Sequence, residues 1–300
     1  TPSNSSAASD VYKRQDISWW DSYYLCPAYP PVREYTKALV RKIISDWDYD
    51  GLKIDGQHLN GVPPCYNPAH HHASPNDSVE ALPGFFKDIY DSALAFKSDA
   101  VVEICPCGTS YNFFTMPYMN QPVSSDPLSS WQIRHKGKTF KALMGSSVPY
   151  YGDHVELSDG RNDFATTIGI GAVPGSKFTW PVGAKKDSRI DLTADKEKVW
   201  ARWIQIYKEK MLSKGEYLGN LYDIGFDRPE THAISVNGKM YYAFYAEEFK
   251  GQVELRELKA ASYRVVDYVN GVDFGVVKGP IGLIDVDFQG SLLLEAAPTS

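Results

Sequence analysis

Two aspartates that close predicted β-strands are the residues best suited to chemistry in this sequence. Asp55 ends the run Gly51-Leu-Lys-Ile-Asp55, and Asp126 ends Pro122-Val-Ser-Ser-Asp126. Hydrolysis of a glycosidic bond uses two carboxyl groups on either side of the anomeric carbon. One protonates the departing oxygen; in retaining enzymes the other attacks the carbon, with the carboxyls about 5–5.5 Å apart. The spacing of Asp55 and Asp126 is compatible with this pair of roles.

The two roles require different protonation states. Asp55 would have to be ionised to attack, and Lys53, two residues earlier on the same strand face, would favour the charged form and could bind a sugar hydroxyl. Asp126 would carry a proton at rest, a state favoured by burial or by the charge of Asp55. Structural alternatives stay open: a strand end without chemistry for Asp55, a helix N-cap for Asp126, and a partner to a structural carboxylate for Lys53.

An alternation of strands and helices over residues 16–225 must position these side chains. We predict strands at 16–20, 51–55, 100–105, 122–126, 150–155 and 176–180, and helices at 31–47, 78–96, 130–143, 162–171 and 193–212. Such alternation is typical of an α/β fold with a parallel sheet. Because polar residues recur where the strands end, we favour a catalytic (β/α)8 TIM-type barrel over a doubly wound sheet, and we expect its first two strands to be missing.

The two ends of the sequence differ from this middle part. Residues 230–300 contain short apolar runs separated by Gly, Asn or Lys, with hairpin signals at Asn237-Gly238 and Asn270-Gly271. We predict a small antiparallel β-sandwich there, with short strands at 240–245, 252–256, 263–267, 274–277, 281–287 and 291–294. Residues 1–15 are mostly small and polar and are expected to be a non-native or disordered leader.

Composition narrows the class of partner. The net charge of −6 argues against nucleic acid, which needs a basic face, and no apolar run reaches the roughly 20 residues of a membrane span. The 20 Tyr, 13 Phe and 7 Trp would suit a site that stacks on sugar rings, although aromatic residues also fill protein cores. We therefore expect an oligosaccharide partner, no nucleic acid and no membrane span, and an oligomer is allowed.

Cysteine and histidine give no metal signal by sequence pattern. The four cysteines are too few for a disulfide framework and are predicted to be free thiols: Cys26, Cys65, Cys105 and Cys107. The run His70-His71-His72 is interpreted as a solvated loop in preference to a metal site. No metal and no cofactor are predicted.

Four segments together resemble glycoside hydrolase family 36, the melibiase-type α-galactosidases of clan D. Lys53-Ile-Asp55 looks like the Lys-x-Asp strand end of that family, whose Asp is the nucleophile. Ser124-Ser-Asp126, followed by Trp131, Ile133 and Arg134, looks like its acid/base segment and helix. Glu103-Ile-Cys-Pro-Cys-Gly108 and Gly152-Asp-His-Val155 are similar to its Glu-x-Cys-x-x-Gly and Gly-x-His-Val stretches. Order and spacing agree over about residues 31 to 180.

The resemblance implies a retaining α-glycoside hydrolase, most simply an α-galactosidase, with Asp55 and Asp126 as catalytic residues. With the residue chemistry, it gives a substrate-binding set of Lys53, Gln57, Glu103, Cys105, Gly108, Ser125, Asp153, His154 and Trp180. Structural alternatives remain for several members: an ion pair inside the barrel for Glu103, a core thiol for Cys105, and packing for Asp153, His154 and Trp180.

One departure from the family keeps the activity open. The usual Lys-Trp-Asp-Met-Asn is Lys53-Ile-Asp-Gly-Gln57 here. The alternatives are an α-galactosyl transglycosylase or an α-N-acetylgalactosaminidase of the same clan. A non-catalytic carbohydrate-binding protein is a third hypothesis, motivated by the aromatic content and the incomplete barrel.

Overall fold

The computed structural model describes residues 16–17, 22–56, 62–108, 111–176, 193–259 and 261–299. Contacts divide the chain into two compact units, one ending at Ser125 and one beginning at Asp126. The expected leader, residues 1–15, lies outside the described residues. The predicted boundary between barrel and C-terminal domain, at 225–230, remains a prediction.

The first unit contains two helices that pack together and one parallel strand pair. Its elements are β1 Asp16–Ile17, β2 Ser22–Tyr23, α1 Pro30–Arg41, β3 Gly51–Asp55, α2 Asp77–Glu80, α3 Leu82–Phe96 and β4 Val101–Cys105. Strands β3 and β4 pair in parallel, with Asp55 opposite Cys105. Strand β1 instead pairs antiparallel with β2, so it forms one arm of a hairpin.

The spacing of residues in the sequence explains helix α1, which packs against α3. Helix α1 opens with prolines in its first turn, where the missing N–H has no intrahelical partner to lose. It buries Val32, Thr36 and Val40, which lie four residues apart on one face. Arg33 of α1 donates to Asp88 of α3 at 2.5 Å, which ties the two helices together.

The predicted strand at 122–126 is wrong. No strand element forms at 122–126, and Ser125 and Asp126 have φ values of 58° and 43°, in the left-handed region and not the extended region typical of a strand. A side chain holds this irregular segment instead: the Tyr111 hydroxyl donates to the Val123 carbonyl at 2.6 Å and accepts from its N–H at 3.1 Å. Ser125, a predicted substrate-binding residue, and Asp126, a predicted catalytic residue, therefore lie on strained backbone.

The second unit combines helices, a parallel strand pair and a large antiparallel sheet. Its elements are α4 Ser130–Met144, β5 Tyr150–His154, α5 Phe164–Gly169, β6 Ala172–Gly175, α6 Ala194–Lys210, β7 Glu216–Tyr217, β8 Glu230–Val236, β9 Lys239–Leu255, β10 Ser262–Asp267, β11 Asp273–Lys278 and β12 Gly282–Pro298. Strands β5 and β6 are parallel. The N-cap of α4 is Ser129, whose hydroxyl accepts from the Gln132 N–H, so the N-cap alternative for Asp126 is wrong.

Within the described part of the chain, β3–β4 and β5–β6 are the parallel pairs, and the closed (β/α)8 barrel remains a prediction. The predicted strand at 176–180 falls mainly outside the described residues, and β6 ends at Gly175. None of the described helices is both long and apolar enough to cross a bilayer.

The C-terminal strands are antiparallel, as predicted, but hydrogen bonds join them in one six-stranded sheet. The strand order is β11-β10-β12-β9-β8-β7. The predicted strands at 240–245 and 252–256 are one continuous strand, β9, and those at 281–287 and 291–294 are both parts of β12. Gly290, with φ of 75°, lies where the β9–β12 register shifts. This glycine therefore accommodates a bulge inside a strand and does not end it.

Both faces of strand β9 are buried over residues 240–245. Tyr241 and Tyr245 belong to clusters that include residues of α5 and α6, such as Phe164 and Trp203. The alternate residues, Tyr242 and Phe244, pack into the main core of the sheet with residues such as Leu255 and Leu294. The period of two along β9 thus separates a helix-facing layer from a second core.

A buried ion pair fastens helix α4 to this sheet. Arg134 donates to both carboxylate oxygens of Glu230, at 2.6 and 2.9 Å, and His232 lies 2.8 Å from the same carboxylate. The guanidinium also lies 4.3 Å from the centre of the Tyr245 ring. Burial alone would raise the pKa of Glu230, but the hydrogen bonds with His232 and Arg134 outweigh it and lower the pKa to about 2.

We expect Glu230→Gln to lower the free energy of unfolding by about 3–5 kcal/mol at pH 7, because it leaves a buried guanidinium without its counter-charge. The folded pKa lies below the unfolded value of 4.5, so the stabilisation is complete above pH 4.5 and disappears as the pH falls toward 2. Urea unfolding at several pH values should show wild type and variant converging in acid. Asp287→Asn, which removes an exposed ion pair with Lys250, is the control and should change little.

Candidate functional site

Strand pairing brings several predicted site residues together in the first unit. Lys53 lies opposite Glu103 in the β3–β4 register, and Asp55 lies opposite Cys105. Lys53 and Asp55 are exposed, whereas Glu103 and Cys105 are buried. The expected common face of Lys53 and Asp55 follows from their separation by two residues. Strand β3 is only partly buried.

Hydrogen bonds join Asp55 to Cys107 and join Ser125 to the residues on either side of Cys107. The thiol of Cys107 donates to Asp55 Oδ1 at 3.0 Å. Ser125 Oγ accepts from the Gly108 N–H at 2.9 Å and lies 3.7 Å from Cys105 Sγ. Cys107 has a φ of 46°, and Ser125 is left-handed as well. Such strained conformations cost free energy and persist where surrounding contacts enforce them, as they do in many functional sites.

Glu103 has a partner that sequence reasoning missed. Its carboxylate accepts a short hydrogen bond from the Gln121 side-chain amide, and its exposed fraction is 7%. Gln121 lies 18 residues further along the chain, after the 3-10 helix Phe113–Tyr118. No sequence pattern connects the two residues, because neither helix nor strand periodicity extends across that segment.

Three predicted residues meet in the second unit, where β5 ends. Asp153 is fully buried with φ of 57°, and its Oδ2 accepts the backbone N–H of Asp126 at 2.8 Å. His154 Nε2 lies 3.4 Å from Asp126 Oδ1 and 3.3 Å from Asp153 Oδ1. The Asp126 side chain is 41% exposed, so it is not the buried group that was expected.

Glu156 completes this cluster and was also missed. It is buried, its Oε1 lies 3.1 Å from His154 Nδ1, and its Oε2 accepts from the Ser176 hydroxyl at 3.0 Å. The His154 Nδ1 contact has the distance of an ion pair but not the alignment of a hydrogen bond. The imidazole thus lies among three carboxylates. The polar run Asp153, His154, Glu156 at a strand end could have revealed Glu156 from sequence.

Among the described residues, three groups of side chains have donor atoms within 4.8 Å of one another, close enough to hold a metal ion. Two of them belong to the clusters above, Asp55/Cys105/Cys107 and Asp126/Asp153/His154; the third is Cys26/Cys65/His70/His72. In all three groups, hydrogen bonds within the cluster already use some of these donors.

The third group corrects the interpretation of the histidine run as a solvated loop. His70 is only 6% exposed. Burial, aided by His72 and His71, lowers the pKa of His70, and burial together with Cys65 raises the pKa of the Cys26 thiol to about 12. The four cysteines are free thiols, as predicted.

Two predicted residues, Gln57 and Trp180, lie outside the described residues. The remaining predicted site residues fall into two groups, one around Asp55 and one around Asp126. The chemical roles assigned to both groups remain predictions.

No protein-family profile matches the chain. It is similar to an A type blood α-D-galactosamine galactosaminidase of Flavonifractor plautii, with 32% identity over 286 residues. That match covers 93% of this chain but 25% of the relative, so the chain spans about a quarter of the length of the curated relative it matches.

Two solved structures of glycosidases are similar in fold to this chain. A glycoside hydrolase family 27 β-L-arabinopyranosidase from Geobacillus stearothermophilus, in complex with arabinose, matches with a TM-score of 0.64 and 12% identity, covering 98% of this chain and 69% of that one. α-Galactosidase I from Mortierella vinacea matches with a TM-score of 0.53 and 12% identity, covering 93% and 74%. At such identities the likeness concerns the fold alone. The chain therefore shares its fold with these two glycosidases.

Proposed function

We propose that this chain is the catalytic portion of a retaining α-glycoside hydrolase of clan D, related to family 36, with a (β/α)8 barrel. Asp55 would be its nucleophile and Asp126 its acid/base residue. The observation that carries the proposal is that each carboxylate lies beside strained backbone. Asp55 accepts a hydrogen bond from Cys107, and Asp126 is bonded through its N–H to Asp153; Cys107, Asp126 and Asp153 all have positive φ values. Such strain often occurs at functional residues. Similarity to a galactosaminidase supports the same class of reaction.

The reaction would proceed in two displacements. In the first, an Asp55 oxygen bonds to the anomeric carbon, the glycosidic bond breaks, and the Asp126 proton moves to the departing oxygen. In the second, Asp126 takes a proton from water, the water oxygen bonds to the anomeric carbon, and the Asp55 carboxylate leaves. The two inversions together retain the anomeric configuration.

Neighbouring residues would position these carboxylates. The Cys107 thiol, 3.0 Å from Asp55 Oδ1, restrains the carboxylate by a hydrogen bond. Asp153 accepts the Asp126 N–H and thereby fixes the backbone that carries the acid/base side chain. His154 Nε2 lies 3.4 Å from Asp126 Oδ1, so it is close enough to interact with the Asp126 carboxyl group when that group loses and regains its proton.

The substrate we propose is a terminal α-linked sugar of galactose configuration. An α-galactoside is the first candidate, because the segments around Asp55 and Asp126 resemble α-galactosidases. The name of the Flavonifractor plautii relative favours a sugar that carries an amino group at C2 as the second candidate. Both share the stereochemistry on which the mechanism depends.

A panel of aryl glycosides tests this proposal. The complete protein should hydrolyse an α-galactoside, an α-galactosaminide or an α-N-acetylgalactosaminide and leave the β-anomers and α-glucosides intact. Proton NMR of the first product should show the α-anomer before mutarotation. Transfer products with excess sugar acceptor would identify a transglycosylase. Binding of sugar without any turnover would favour the carbohydrate-binding hypothesis and refute the proposal.

We expect Asp153→Ala to lower kcat by about 100-fold, because a displacement of about 1 Å in a reacting group has an effect of that order. Asp153 is a positioning residue that acts through Asp126, so the loss should be large for a sugar leaving group and small for an activated aryl group. Asp153→Asn keeps an acceptor oxygen for the Asp126 N–H and should recover part of the activity. Equal losses on both substrates would indicate a merely structural defect.

A further inference from the structure

The first unit contains a side-chain cluster that the proposed reaction does not use. Two thiols and two imidazoles meet there, from Cys26, Cys65, His70 and His72, with donor atoms within 4.8 Å of one another. Cys26 is 1% exposed, Cys65 is 4% and His70 is 6%, while His72 is partly exposed. We propose that these four residues bind one Zn²⁺ ion as a structural site.

The separations suit tetrahedral zinc. Cys26 Sγ lies 3.1 Å from His72 Nε2, and Cys65 Sγ lies 3.2 Å from His70 Nδ1. Zn–S bonds of about 2.3 Å and Zn–N bonds of about 2.0–2.1 Å at tetrahedral angles place sulfur and nitrogen about 3.6 Å apart. These two sulfur–nitrogen pairs therefore need to widen by only about 0.4–0.5 Å to receive the ion.

The backbone of a short loop brings three of the four residues together. Asn67 caps the 3-10 turn Pro68–His70 by accepting the Ala69 N–H at 3.0 Å. His71 is left-handed, with φ of 53°, and this conformation turns the chain between the two histidine ligands. The Cys65 N–H donates to the Pro75 carbonyl at 2.7 Å and closes the loop.

The fourth residue comes from a distant part of the chain. Cys26 lies 46 residues before His72, so the ion would link the segment ahead of α1 to the loop between β3 and α2. Tyr29, three residues after Cys26, stacks on the His70 ring with centroids 4.0 Å apart. Because a constraint between such distant segments reduces the freedom of the unfolded chain, metal binding should stabilise the fold.

Donor chemistry selects the ion. Two sulfurs and two ring nitrogens in a tetrahedral set favour zinc, and carboxylate-preferring cations such as Mg²⁺ and Ca²⁺ find no oxygen among these four ligands. Four protein ligands leave no open position, which is typical of a structural and not a catalytic zinc. On binding, the two thiols release their protons to water as their sulfurs bond to the ion.

One neighbouring side chain must adapt. The Asn67 amide nitrogen lies 3.1 Å from His70 Nε2. His70 can bind zinc through Nδ1 only when its proton is on Nε2, so the amide must turn its oxygen toward that N–H. This rotation exchanges the hydrogen bond that Asn67 Oδ1 accepts from the Ala69 N–H for one that it accepts from His70 Nε2.

Metal content measured on the complete, untagged protein tests the site. We expect plasma mass spectrometry to find one zinc per chain in the wild type. The variants Cys65→Ser and His72→Gln should each lose that zinc. The His72 side chain is only partly buried, so its replacement should disturb the fold least. His71→Gln is the matched control, because it lies between two ligands yet is exposed and outside the cluster. It should keep the zinc.

Two further measurements use the wild-type protein, so their outcome does not depend on whether a variant folds. Cobalt titration of the metal-stripped wild type should produce the intense near-ultraviolet and visible bands of a tetrahedral thiolate site. Removal of metal should lower Tm by at least about 5 °C. No cobalt spectrum and no zinc in the wild type would overturn the proposal, as would a Cys26–Cys65 disulfide in the purified protein.

Discussion

Asp55→Ala should reduce kcat by at least about 10⁴-fold on every substrate that the complete protein hydrolyses. Loss of a covalent nucleophile costs on the order of 10⁴–10⁶ in enzymes where it has been measured, because no other group can form the intermediate. Asp55 ends β3 and is exposed, with one oxygen held by the Cys107 thiol. Its removal should therefore affect chemistry far more than stability, and kinetics with an aryl α-galactoside would measure the loss.

Chemical rescue makes the result specific to a nucleophile. In Asp55→Gly, azide can enter the vacated space and attack the anomeric carbon from the same side, giving a β-glycosyl azide. Asp50→Asn is the matched control, since that carboxylate lies just before the same strand and is exposed, paired with Lys97. It should keep wild-type turnover. Rescue that gave no azide product, or full activity in Asp55→Ala, would be inconsistent with the assigned role.

Asp126→Asn should produce the second-largest effect, and its size should depend on the leaving group. General acid catalysis contributes about 10²–10⁴-fold where a poor leaving group needs a proton. A natural oligosaccharide should therefore react about 10²–10⁴-fold more slowly, whereas an activated aryl glycoside, which leaves without protonation, should form the glycosyl-enzyme at nearly the normal rate. Pre-steady-state kinetics on both substrates would measure this difference.

The control for Asp126 comes from the same unit. Asp159 is an exposed aspartate in a short 3-10 turn after β5, and Asp159→Asn should leave both rates unchanged. An Asp126→Asn variant that slowed both substrates equally would contradict a role as the acid, because such a defect would not depend on protonation of the leaving group.

Sequence patterns predicted the longer helices of the fold well. The helices α1, α3, α4 and α6 occur close to their expected bounds, because apolar spacing and cap residues such as Thr193 act locally. The C-terminal strands were predicted too short. The glycines and charged residues that suggested chain breaks lie within long strands, where pairing with neighbouring strands overrides local preference.

The candidate site was predicted in its residues but not in its contacts. Sequence reasoning selected Asp126, Asp153 and His154, yet the hydrogen bond from the Asp126 N–H to Asp153 depends on left-handed backbone at both aspartates. A Ser-Ser-Asp segment gives no local sign of that conformation. The Cys26 cluster was missed for a related reason, since its ligands are brought together by tertiary structure and match no short motif.

Trapping the covalent intermediate tests the central claim most directly. A fluorinated α-galactosyl fluoride reacts with a retaining enzyme to form a glycosyl-enzyme that hydrolyses slowly, and peptide mass spectrometry then locates the sugar. We expect one fluoro-sugar per chain, attached to Asp55, with protection by a competing substrate. A label on any other residue, or no label on an enzyme whose first product is the β-anomer, would contradict the assignment of Asp55 as the nucleophile.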